Sequence, residues 1–362
     1  MKIAIVHDSL VEFGGAERVL QTLLTLFPEA SLYTAYYDRS LVEKFFSQLS
    51  PSHFHYSWAQ NTPLSTHGSL FQFFSPLVWR SFDFSDYDLV ISSTGYLLAN
   101  LVKVGSIHVQ YVHTLPKNLF KIEPPYPFQK LTRYEIIMRQ LSQRAFNTTP
   151  YIIANSKYTQ TMLKTHVGVK ASVIYPPVKI PKTMASRRKP EYYLCVSRLD
   201  PPKSLELAIV ACSRLGLPLK VVGNPTDKEY ESFLRSLAGP TVEFLGFCSD
   251  AEVSRLYESA IAFLFTSKNE DFGIAPVEAM AHGVPVIAYY GGGVKESLAP
   301  GKTGVFFYEH TAQALAAALQ KFDPRDFDPR ELYHQAKKFS QSRFTGEIKA
   351  YLEQAVSRRL PR

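Results

Sequence analysis

Cysteine is scarce in this sequence, with only 3 among 362 residues. Cys195, Cys212 and Cys248 are odd in number, widely spaced and set in apolar surroundings. A disulfide framework or a thiolate metal site requires a paired or clustered set of thiols. The cysteines therefore predict core packing in a reducing compartment, and we expect a cytoplasmic protein.

Long hydrophobic runs are also missing. The longest apolar stretches have the length of a strand, well below the about 20 residues that a membrane-spanning helix needs. Met1-Lys2 leads directly into the apolar run Ile3–Val6. We therefore expect neither a spanning helix nor a secretory signal.

Acidic residues are outnumbered, with 32 Asp and Glu against 40 Lys and Arg, which gives a net charge of +8 and a pI near 9.1. Such an excess favours an anionic partner such as nucleic acid, acidic lipid or a nucleotide diphosphate. The sequence has neither an aromatic RNA-binding motif nor zinc-finger spacing, so we expect no nucleic acid partner. A soluble basic surface without any partner is the simpler alternative.

Strand-like apolar runs alternate with helical patterns along the whole chain, which predicts an α/β fold with doubly wound parallel sheets. The pattern occurs twice. The predicted strands are Ile3–Val6, Ser31–Ala35, Leu89–Ser93, His108–His113, Tyr151–Asn155 and Ser172–Tyr175, then Tyr193–Ser197, Leu219–Val222, Val242–Leu245, Ile261–Phe265, Val286–Tyr290 and Gly304–Phe307.

Between the two sets of strands lies a basic, proline-rich segment, Lys179–Pro190, which is typical of a linker. We therefore predict an N-terminal domain over residues 1–178 and a C-terminal domain over residues 179–340. The last segment, residues 341–362, has helical periodicity. It either crosses back to the first domain or caps its own domain.

An acidic loop follows the apolar run Ile261–Phe265 and leads into a helix. Pro276 suits the first turn of a helix because it has no N–H to leave unpaired, so the helix is predicted to open near Pro276. Glu270 lies before this opening and Glu278 lies just inside it. The segment predicts two carboxylates on either side of a helix N-terminus.

Such an N-terminus is suited to phosphate, because its first N–H groups have no intrahelical partner and the helix dipole favours negative charge. Gly273 allows close approach of the backbone, and the N–H groups of Phe272, Gly273 and Ile274 would face the anion. A nucleotide sugar has a diphosphate between two hydroxylated rings and fits this arrangement. A helix cap beside an ordinary surface carboxylate is the alternative.

Two cations follow the predicted strand Tyr193–Ser197, directly before a helix. Arg198 and Lys203 at that position can clamp a diphosphate, the first by its planar fork and the second as a point charge. Solvated surface residues would explain the same pair.

The first domain places a glycine pair between its first strand and first helix. Gly14 and Gly15 would turn backbone amides toward a phosphate, and Glu17 either joins that site or only caps its helix. Asp8 follows the same strand and is predicted to contact the acceptor.

His113 ends another apolar strand, ahead of Thr114, Pro116 and Lys117. Open parallel sheets bind ligands at the carboxyl ends of their strands, where imidazole can share charge or a proton. We therefore predict a site role for His113 and an acceptor contact for Lys117, although a histidine at such a position is often structural.

These motifs resemble those of the retaining glycosyltransferases of family four. Glu270 and Glu278 have the spacing of its E-x7-E signature, Gly14, Gly15 and Glu17 resemble its G-G-x-E entry, and Arg198 and Lys203 resemble its R-x-x-x-x-K clamp. His113, Thr114 and Pro116 resemble the H-T-P motif of a branch with many mannosyltransferases. The family usually has Gly where this chain has Ser204 and Asp271.

The resemblance implies a GT-B fold, two Rossmann-like domains facing an interdomain cleft, with acceptor bound by the first domain and donor by the second. It implies that Glu270 and His113 act on the sugar, that Gly223 leaves room for the nucleotide, and that the backbone near Phe247 reads the base. It further implies a retaining hexosyltransferase that uses GDP-mannose first, or a UDP-sugar second, without a metal ion. Asp326 and Asp328 resemble a D-x-D metal motif but lie beyond the last strand, so we interpret them as loop residues.

Two alternatives stay open. One is a catalytically silent protein of the same fold that binds a nucleotide sugar or a lipid glycan, and the other is a nucleotide-sugar epimerase. A phosphorylase is disfavoured because no Lys is set up for a pyridoxal Schiff base.

The acceptor is expected to be a glycan or a polyprenyl-linked glycan, such as a bacterial surface-polysaccharide precursor. Two segments could meet the inner face of an anionic membrane, the aromatic-rich stretch over residues 51–79 and the predicted helix Gln129–Phe146 with Lys130, Arg133, Arg139 and Arg144. Buried helical core and a solvated basic face explain the same residues.

Overall fold

The protein is represented by a computed structural model that describes residues 1–66, 68–122, 133–184 and 188–357. It divides into two compact units. Unit one contains Met1–Pro177 and Ser342–Arg362, and unit two contains Val178–Gln341. Each unit is a parallel sheet with helices, so the predicted fold class of two Rossmann-like domains is confirmed.

Unit one contains a parallel sheet of seven strands among its described residues, in the order β3-β2-β1-β4-β5-β6-β7. The strands are β1 (Ile3–His7), β2 (Ser31–Thr34), β3 (Phe54–Tyr56), β4 (Leu89–Thr94), β5 (Ile107–Val112), β6 (Tyr151–Ala154) and β7 (Ser172–Val173). Its helices are α1 (Gly15–Leu26), α2 (Arg39–Phe45), α3 (Gly68–Arg80), α4 (Lys117–Phe120), α5 (Arg133–Asn147) and α6 (Lys157–Met162).

Helices cover both faces of the sheet of unit one. Because successive side chains of a strand point to opposite sides, each strand contributes to two cores. Ala4 and Val6 belong to the core that includes side chains of α3 and α5. Ile3 and Ile5 belong to the opposite core, which α1 also supplies. The continuous apolar run of β1 is thus explained by two separate cores.

The last helix, α14 (Gln341–Ser357), packs into the second of these cores. Its side chains in this core are Phe344, Ile348, Leu352 and Ala355. Arg343 also donates a hydrogen bond of 2.7 Å from Nη2 to the carbonyl oxygen of Tyr175. The helix therefore covers one face of a sheet whose last strand ended at Val173, with the whole of unit two between them in the sequence.

Unit two contains a parallel sheet of six strands among its described residues, in the order β10-β9-β8-β11-β12-β13. The strands are β8 (Tyr192–Val196), β9 (Leu219–Val222), β10 (Val242–Gly246), β11 (Ala260–Phe265), β12 (Val286–Tyr289) and β13 (Gly304–Phe307). The helices are α7 (Leu205–Leu215), α8 (Lys228–Leu237), α9 (Asp250–Glu258), α10 (Ile274–Ala281), α11 (Val294–Ser297), α12 (Ala312–Lys321) and α13 (Pro329–Lys337).

All predicted strands occur within about two residues of their predicted ends. The prediction missed β3, a three-residue strand paired with β2 inside the aromatic-rich region. Such a short edge strand has too few residues to show a period. The predicted helix Gln129–Phe146 begins at Arg133 in the described part of the chain, and its first residues, including Lys130, lie outside it, as do linker residues 185–187 and the last residues 358–362.

We predict that Phe344→Ala lowers the free energy of unfolding of unit one by about 3–5 kcal/mol, because it empties a fully buried site between α14 and the sheet. Both tryptophans of the chain, Trp58 and Trp79, lie in unit one, so tryptophan fluorescence during urea unfolding follows this unit. Glu353→Ala, on the exposed side of α14, is the control. Equal midpoints for the two variants would contradict a role of the helix in the core.

Candidate active site

The acidic loop of unit two leads into α10, which begins at Ile274 with Gly273 as its N-cap residue. The predicted opening near Pro276 is wrong by two residues. Pro276 still lies in the first turn, where its missing N–H costs no intrahelical bond. Gly273 has φ +85°, and a Cβ there would lie 3.1 Å from the ring of Phe265. Glycine is therefore required at the residue that opens the helix.

Phe272 and Glu278, two further residues of this predicted site, have contacts that stabilise the loop and α10. Phe272 is buried and its ring packs 5.4 Å from that of Phe339, so only its main chain is available to a ligand. Glu278 lies in the second turn of α10 and is half-buried. Nδ1 of His282 lies 2.8 Å from its carbonyl oxygen. The loop is thus anchored by one aromatic contact and by the regular helix that follows.

A glycine triplet after β12, Gly291–Gly293, supports the acidic loop from the neighbouring strand. A Cβ at these three positions would lie 2.3, 2.3 and 2.2 Å from the carbonyl oxygens of Lys268, Glu270 and Asp271. The N–H of Gly293 donates to the carbonyl oxygen of Glu270 at 2.8 Å. The role of this triplet is to let two loops meet backbone to backbone.

Glu270 and Lys203 form an ion pair, with 2.6 Å between Oε2 and Nζ. The two residues follow β11 and β8, which are neighbours in the sheet. Thr266 strengthens the contact, because its hydroxyl donates to the carbonyl oxygen of Lys203 at 2.7 Å. The predicted anion clamp and the predicted acidic loop therefore form one cluster, in which the ammonium group of Lys203 contacts the carboxylate of Glu270 ahead of the N-terminus of α10.

Arg198 lies in the same turn as Lys203 and pairs with Asp200 at 3.3 Å. Asp200 was missed from the sequence. Burial raises the pKa of its carboxyl, while the charges of Arg198 and Lys203 lower it and that of Glu270 raises it. Oδ1 of Asp200 has no hydrogen-bond partner among the described residues. The buried carboxylate of Asp200 thus fixes the position of the Arg198 guanidinium, which is half exposed to solvent.

Gly223 and Phe247 follow the next two strands, β9 and β10. Gly223 has φ +142°, and a Cβ there would lie 1.8 Å from the carbonyl oxygen of Ser197. The position that a side chain at residue 223 would fill is therefore occupied by the backbone that leads to Arg198, and the nucleotide contact of Gly223 stays a prediction. Phe247 is 57% exposed, directly after Gly246. Its predicted base contact stays a prediction.

In unit one, Gly14 is the N-cap residue of α1 and Gly15 is the first helical residue. The N–H of Gly14 donates to Oε2 of Glu17 at 2.7 Å. Of the two interpretations of Glu17, the helix cap is therefore present in the structure. Its second oxygen, Oε1, faces inward and lies 3.3 Å from Nε2 of His7.

Asp8 does not have the role that we expected. Its carboxylate accepts backbone N–H groups from Gly95 and Leu97 on Oδ2 and from Ala99 on Oδ1, each at 2.9 Å. Burial raises the pKa of this carboxyl, while these bonds and His7 lower it. Both oxygens serve to fix the loop after β4, so the structure assigns Asp8 to loop anchoring instead of acceptor contact.

His113 belongs to a chain of four hydrogen-bonded side chains, which we call the histidine relay: Glu17, His7, Ser93 and His113. Oγ of Ser93 lies 2.7 Å from Nε2 of His113 and 2.9 Å from Nδ1 of His7. Desolvation, with a smaller contribution from His7, lowers the pKa of His113 to about 3. The sequence analysis missed His7 and Ser93, although both lie at the carboxyl ends of strands that flank one another.

Lys117 is the first residue of α4, after the turn that follows β5. Its neighbour Asn118 donates from Nδ2 to Oε1 of Gln72 at 3.2 Å, which ties α4 to α3. No contact in this region tests the predicted role of Lys117, and its acceptor contact stays a prediction. Across the described ranges of the chain, no group of three or more His, Cys, Asp and Glu side chains is arranged to hold a metal ion.

Comparison with known protein families covers nearly the whole chain. A family model described as Glycosyltransferase Family 4 matches residues 13–180. A second, described as Glycosyl transferases group 1, matches residues 179–341. The boundary between the two matches coincides with the boundary between the two structural units.

Two curated relatives illustrate the range of similar proteins. D-inositol 3-phosphate glycosyltransferase of Corynebacterium aurimucosum is 25% identical over 282 residues, which are 68% of this chain and 65% of that protein. GDP-mannose-dependent alpha-mannosyltransferase of Mycolicibacterium smegmatis is 36% identical over 111 residues, which are 30% of this chain and 28% of that protein. The matches span less than two thirds of the length of either relative.

Among solved structures, HepE from Anabaena in complex with UDP-glucose superimposes with a TM-score of 0.73 at 20% identity, over 98% of this chain and 100% of that one. At this identity the likeness shows the fold. The two family matches, the two parallel-sheet units and this likeness lead to one conclusion. This chain belongs to glycosyltransferase family 4 and has the GT-B fold.

Proposed function

We propose that this protein is a retaining glycosyltransferase that moves a hexose from a nucleotide diphosphate sugar to a glycan or lipid-linked glycan acceptor without a metal ion. The observation that carries the proposal is the pair of Lys203 and Glu270 at the N-terminus of α10, 2.6 Å apart. A cation suits the diphosphate and a carboxylate suits the hydroxyl groups of the sugar. One end of a single sheet thus offers both groups that a nucleotide sugar needs.

The chemistry follows from where charge develops. As the bond to the anomeric carbon breaks, negative charge grows on the leaving diphosphate. Lys203, Arg198 and the first N–H groups of α10 would stabilise that charge, and each well-placed donor supplies about 2.7–4 kcal/mol in such sites. These groups are sufficient without a metal ion. Glu270 would orient the sugar ring, and His113 of unit one would contact the sugar.

Mannose from GDP-mannose is our first choice of donor. The 36% identical relative from Mycolicibacterium smegmatis is named as GDP-mannose-dependent, which supports this choice. UDP-sugars come second, because the structurally similar HepE was solved with UDP-glucose. Retention of configuration is proposed because the chain belongs to family 4, whose motifs resemble those of retaining enzymes. Front-face attack by the acceptor is proposed because no side chain in the described cluster is placed as an obvious nucleophile for double displacement.

The test is a screen of GDP, UDP and ADP and their hexose derivatives by thermal shift, followed by turnover assays with each ligand that stabilises the protein. A ligand at 100 times its dissociation constant should stabilise by about 2.7 kcal/mol. We expect GDP and GDP-mannose to give the largest shifts. NMR of the first product should show the donor's anomeric configuration, and an inverted linkage would overturn the retaining mechanism.

The Glu270→Gln variant separates an enzyme from a silent binding protein. We expect turnover to fall roughly tenfold to hundredfold, because a charged hydrogen-bond acceptor for the sugar is lost, while binding of the free nucleotide is retained. Glu243→Gln is the matched control, since Glu243 also pairs with a lysine of unit two, Lys220, but on the strands and away from α10. No turnover by the wild type with any donor would instead favour the silent protein.

We further predict that Gly292→Ala lowers turnover on the order of 10²-fold, because the new Cβ would displace the backbone of Glu270. Gly301→Ala provides a control with the same type of backbone. Its φ is +75°, close to the +61° of Gly292, but a Cβ at residue 301 meets no atom within 4 Å. If both alanine variants kept full turnover, the triplet would have no part in positioning Glu270.

An apolar stripe on unit one supports peripheral contact with an anionic membrane at its inner face. Leu70, Phe73 and Leu77 are exposed on one side of α3, at a spacing that places them on one helix face, whereas Phe71 is buried on the other side. Ile136 and Ile137 on α5 are exposed as well. Arg133 and Arg144 of α5 are exposed cations beside them. The buried side of α3 is thus helical core, and its exposed side is the surface that we propose for contact with the membrane.

A cavity of about 380 Å³ lies beside this stripe and is lined by Phe73, Tyr96, Tyr134 and Asn118, among others. Its aromatic walls and its neighbour Lys117 suit an acceptor with both an apolar part and a polar head. No helix in the described part of the chain is long and apolar enough to cross a membrane. We therefore propose that contact with lipid is made by side chains of the surface.

Co-sedimentation with vesicles tests this contact. We expect the wild type to bind vesicles rich in phosphatidylglycerol more than vesicles of phosphatidylcholine, and Phe73→Ser with Leu77→Ser to reduce that binding by roughly tenfold or more, because two inserted apolar side chains are lost. Tyr308→Ser removes an exposed aromatic ring from unit two and serves as the control. Binding that is unchanged in the double variant would contradict a membrane role for α3.

A further inference from the structure

The histidine relay joins three adjacent strands of unit one. His7 ends β1, Ser93 lies near the end of β4, and His113 directly follows β5, so parallel pairing brings their side chains to one edge of the sheet. Glu17 reaches the relay from α1. His7, Ser93 and Glu17 are buried, and His113 is partly exposed at the end of the chain of bonds. The relay thus runs from the interior to the surface.

Counting protons gives this relay a direction. An ionised carboxylate can only accept, so with a neutral His7 the bond to Glu17 must be donated by Nε2–H of His7. Nδ1 of His7 then carries a lone pair and accepts the single hydroxyl proton of Ser93. Ser93 has no second proton, so its oxygen accepts from Nε2–H of His113. Every donor has one acceptor along the chain.

The relay decides which nitrogen of His113 carries the proton. This matters because desolvation lowers the pKa of His113 to about 3, so the ring is neutral near pH 7. A neutral imidazole has one proton and two possible positions for it. A proton on Nε2 leaves the lone pair on Nδ1. The ring then accepts a hydrogen bond at Nδ1 and cannot donate one there.

We propose that Glu17, His7 and Ser93 are positioning residues that hold His113 as its Nε2–H tautomer, so that Nδ1 accepts a hydrogen bond from a hydroxyl group of the substrate. The tautomer follows from the contacts for a neutral His7 beside an ionised Glu17, whereas the substrate contact rests on the proposed function. The carboxylate of Glu17 also caps α1, because its other oxygen accepts the N–H of Gly14. The conformation of the predicted glycine loop and the tautomer of His113 therefore depend on the same side chain.

Glu17→Gln is the decisive variant. The N–H of Gly14 must keep an acceptor, so the amide oxygen of Gln will face Gly14 and its NH2 group will face Nε2 of His7. His7 must then carry its proton on Nδ1 and donate to Ser93, whose hydroxyl turns toward Nε2 of His113. The proton of His113 moves to Nδ1. An isosteric change at a residue that does not touch His113 should thus reverse its tautomer.

The chain offers a matched control on the same two strands. Ser92 and His108 form the same type of bond, with 2.9 Å between Oγ and Nε2, one residue away on β4 and near the start of β5. Ser92→Ala removes a serine from a histidine in the same sheet without touching the relay. A merely structural role of the relay would make Ser92→Ala and Glu17→Gln alike in their effect on the ring of His113.

The experiment records long-range proton–nitrogen NMR spectra of the full chain labelled with ¹⁵N-histidine, with His113 assigned by its loss in His113→Gln. We expect the Nε2–H pattern in the wild type and in Ser92→Ala, the Nδ1–H pattern in Glu17→Gln, and a mixture in Ser93→Ala. An Nδ1–H pattern in the wild type, or an unchanged His113 in Glu17→Gln, would overturn the proposal.

Turnover with the donor found in the screen provides the second measurement. We expect kcat to fall roughly tenfold in Glu17→Gln and to stay within about twofold in Ser92→Ala, since a neutral hydrogen bond to substrate is lost only in the first. A reversed tautomer with unchanged kcat would overturn the contact with substrate. A wild type without turnover would contradict the proposed function, and the NMR pattern would still decide the relay.

Discussion

The ion pair between Lys203 and Glu270 is the interaction on which the site in unit two depends. Neither residue is placed by a long helix or a strand, because Glu270 lies in a loop and Lys203 ends the single 3₁₀ turn Pro201–Lys203. They meet because β8 and β11 are neighbours and because backbone contacts hold both loops: Thr266 bonds the main chain of Lys203, and Gly293 bonds that of Glu270. In this partly buried position each charge offsets part of the desolvation cost of the other, so the ion pair helps to hold the two loops together.

In unit one, parallel pairing likewise brings side chains from neighbouring strands together. Strands β1, β4 and β5 end at one edge, and their last side chains form a chain of hydrogen bonds instead of an ion pair. Burial favours the neutral state of His113, whereas in unit two the charges of Lys203 and Glu270 stabilise each other. Fixed charge therefore holds the strand-end groups of unit two, and hydrogen bonds hold those of unit one.

Much of this could be predicted from the sequence, because strand periodicity and the position of a residue after a strand are local properties. They located Glu270, Lys203 and His113 at strand ends, and the fold class followed from the alternation of elements. What could not be predicted depends on which loops touch. The anchoring role of Asp8 requires the backbone of residues 95–99, almost ninety positions away, and the need for glycine at 291–293 arises only from contact with the acidic loop. His7 and Ser93 read as ordinary strand residues until the pairing of β1 with β4 is known.

The turn from Arg198 to Ser204 departs from local preference at two residues, and this supports a functional role for it. Ser204 has φ +51°, a left-handed conformation that costs a residue with a side chain about 1–2 kcal/mol, and glycine usually occupies this position in the family. The same turn contains Asp200, whose buried Oδ1 lacks a partner among the described residues. Strain and an unsatisfied buried carboxylate within seven residues are unfavourable for folding, so they persist only where the surroundings enforce them. Both are explained if the turn must present Arg198 and Lys203 at one edge of the sheet, because Asp200 pairs with Arg198 there and Ser204 ends the turn directly before α7.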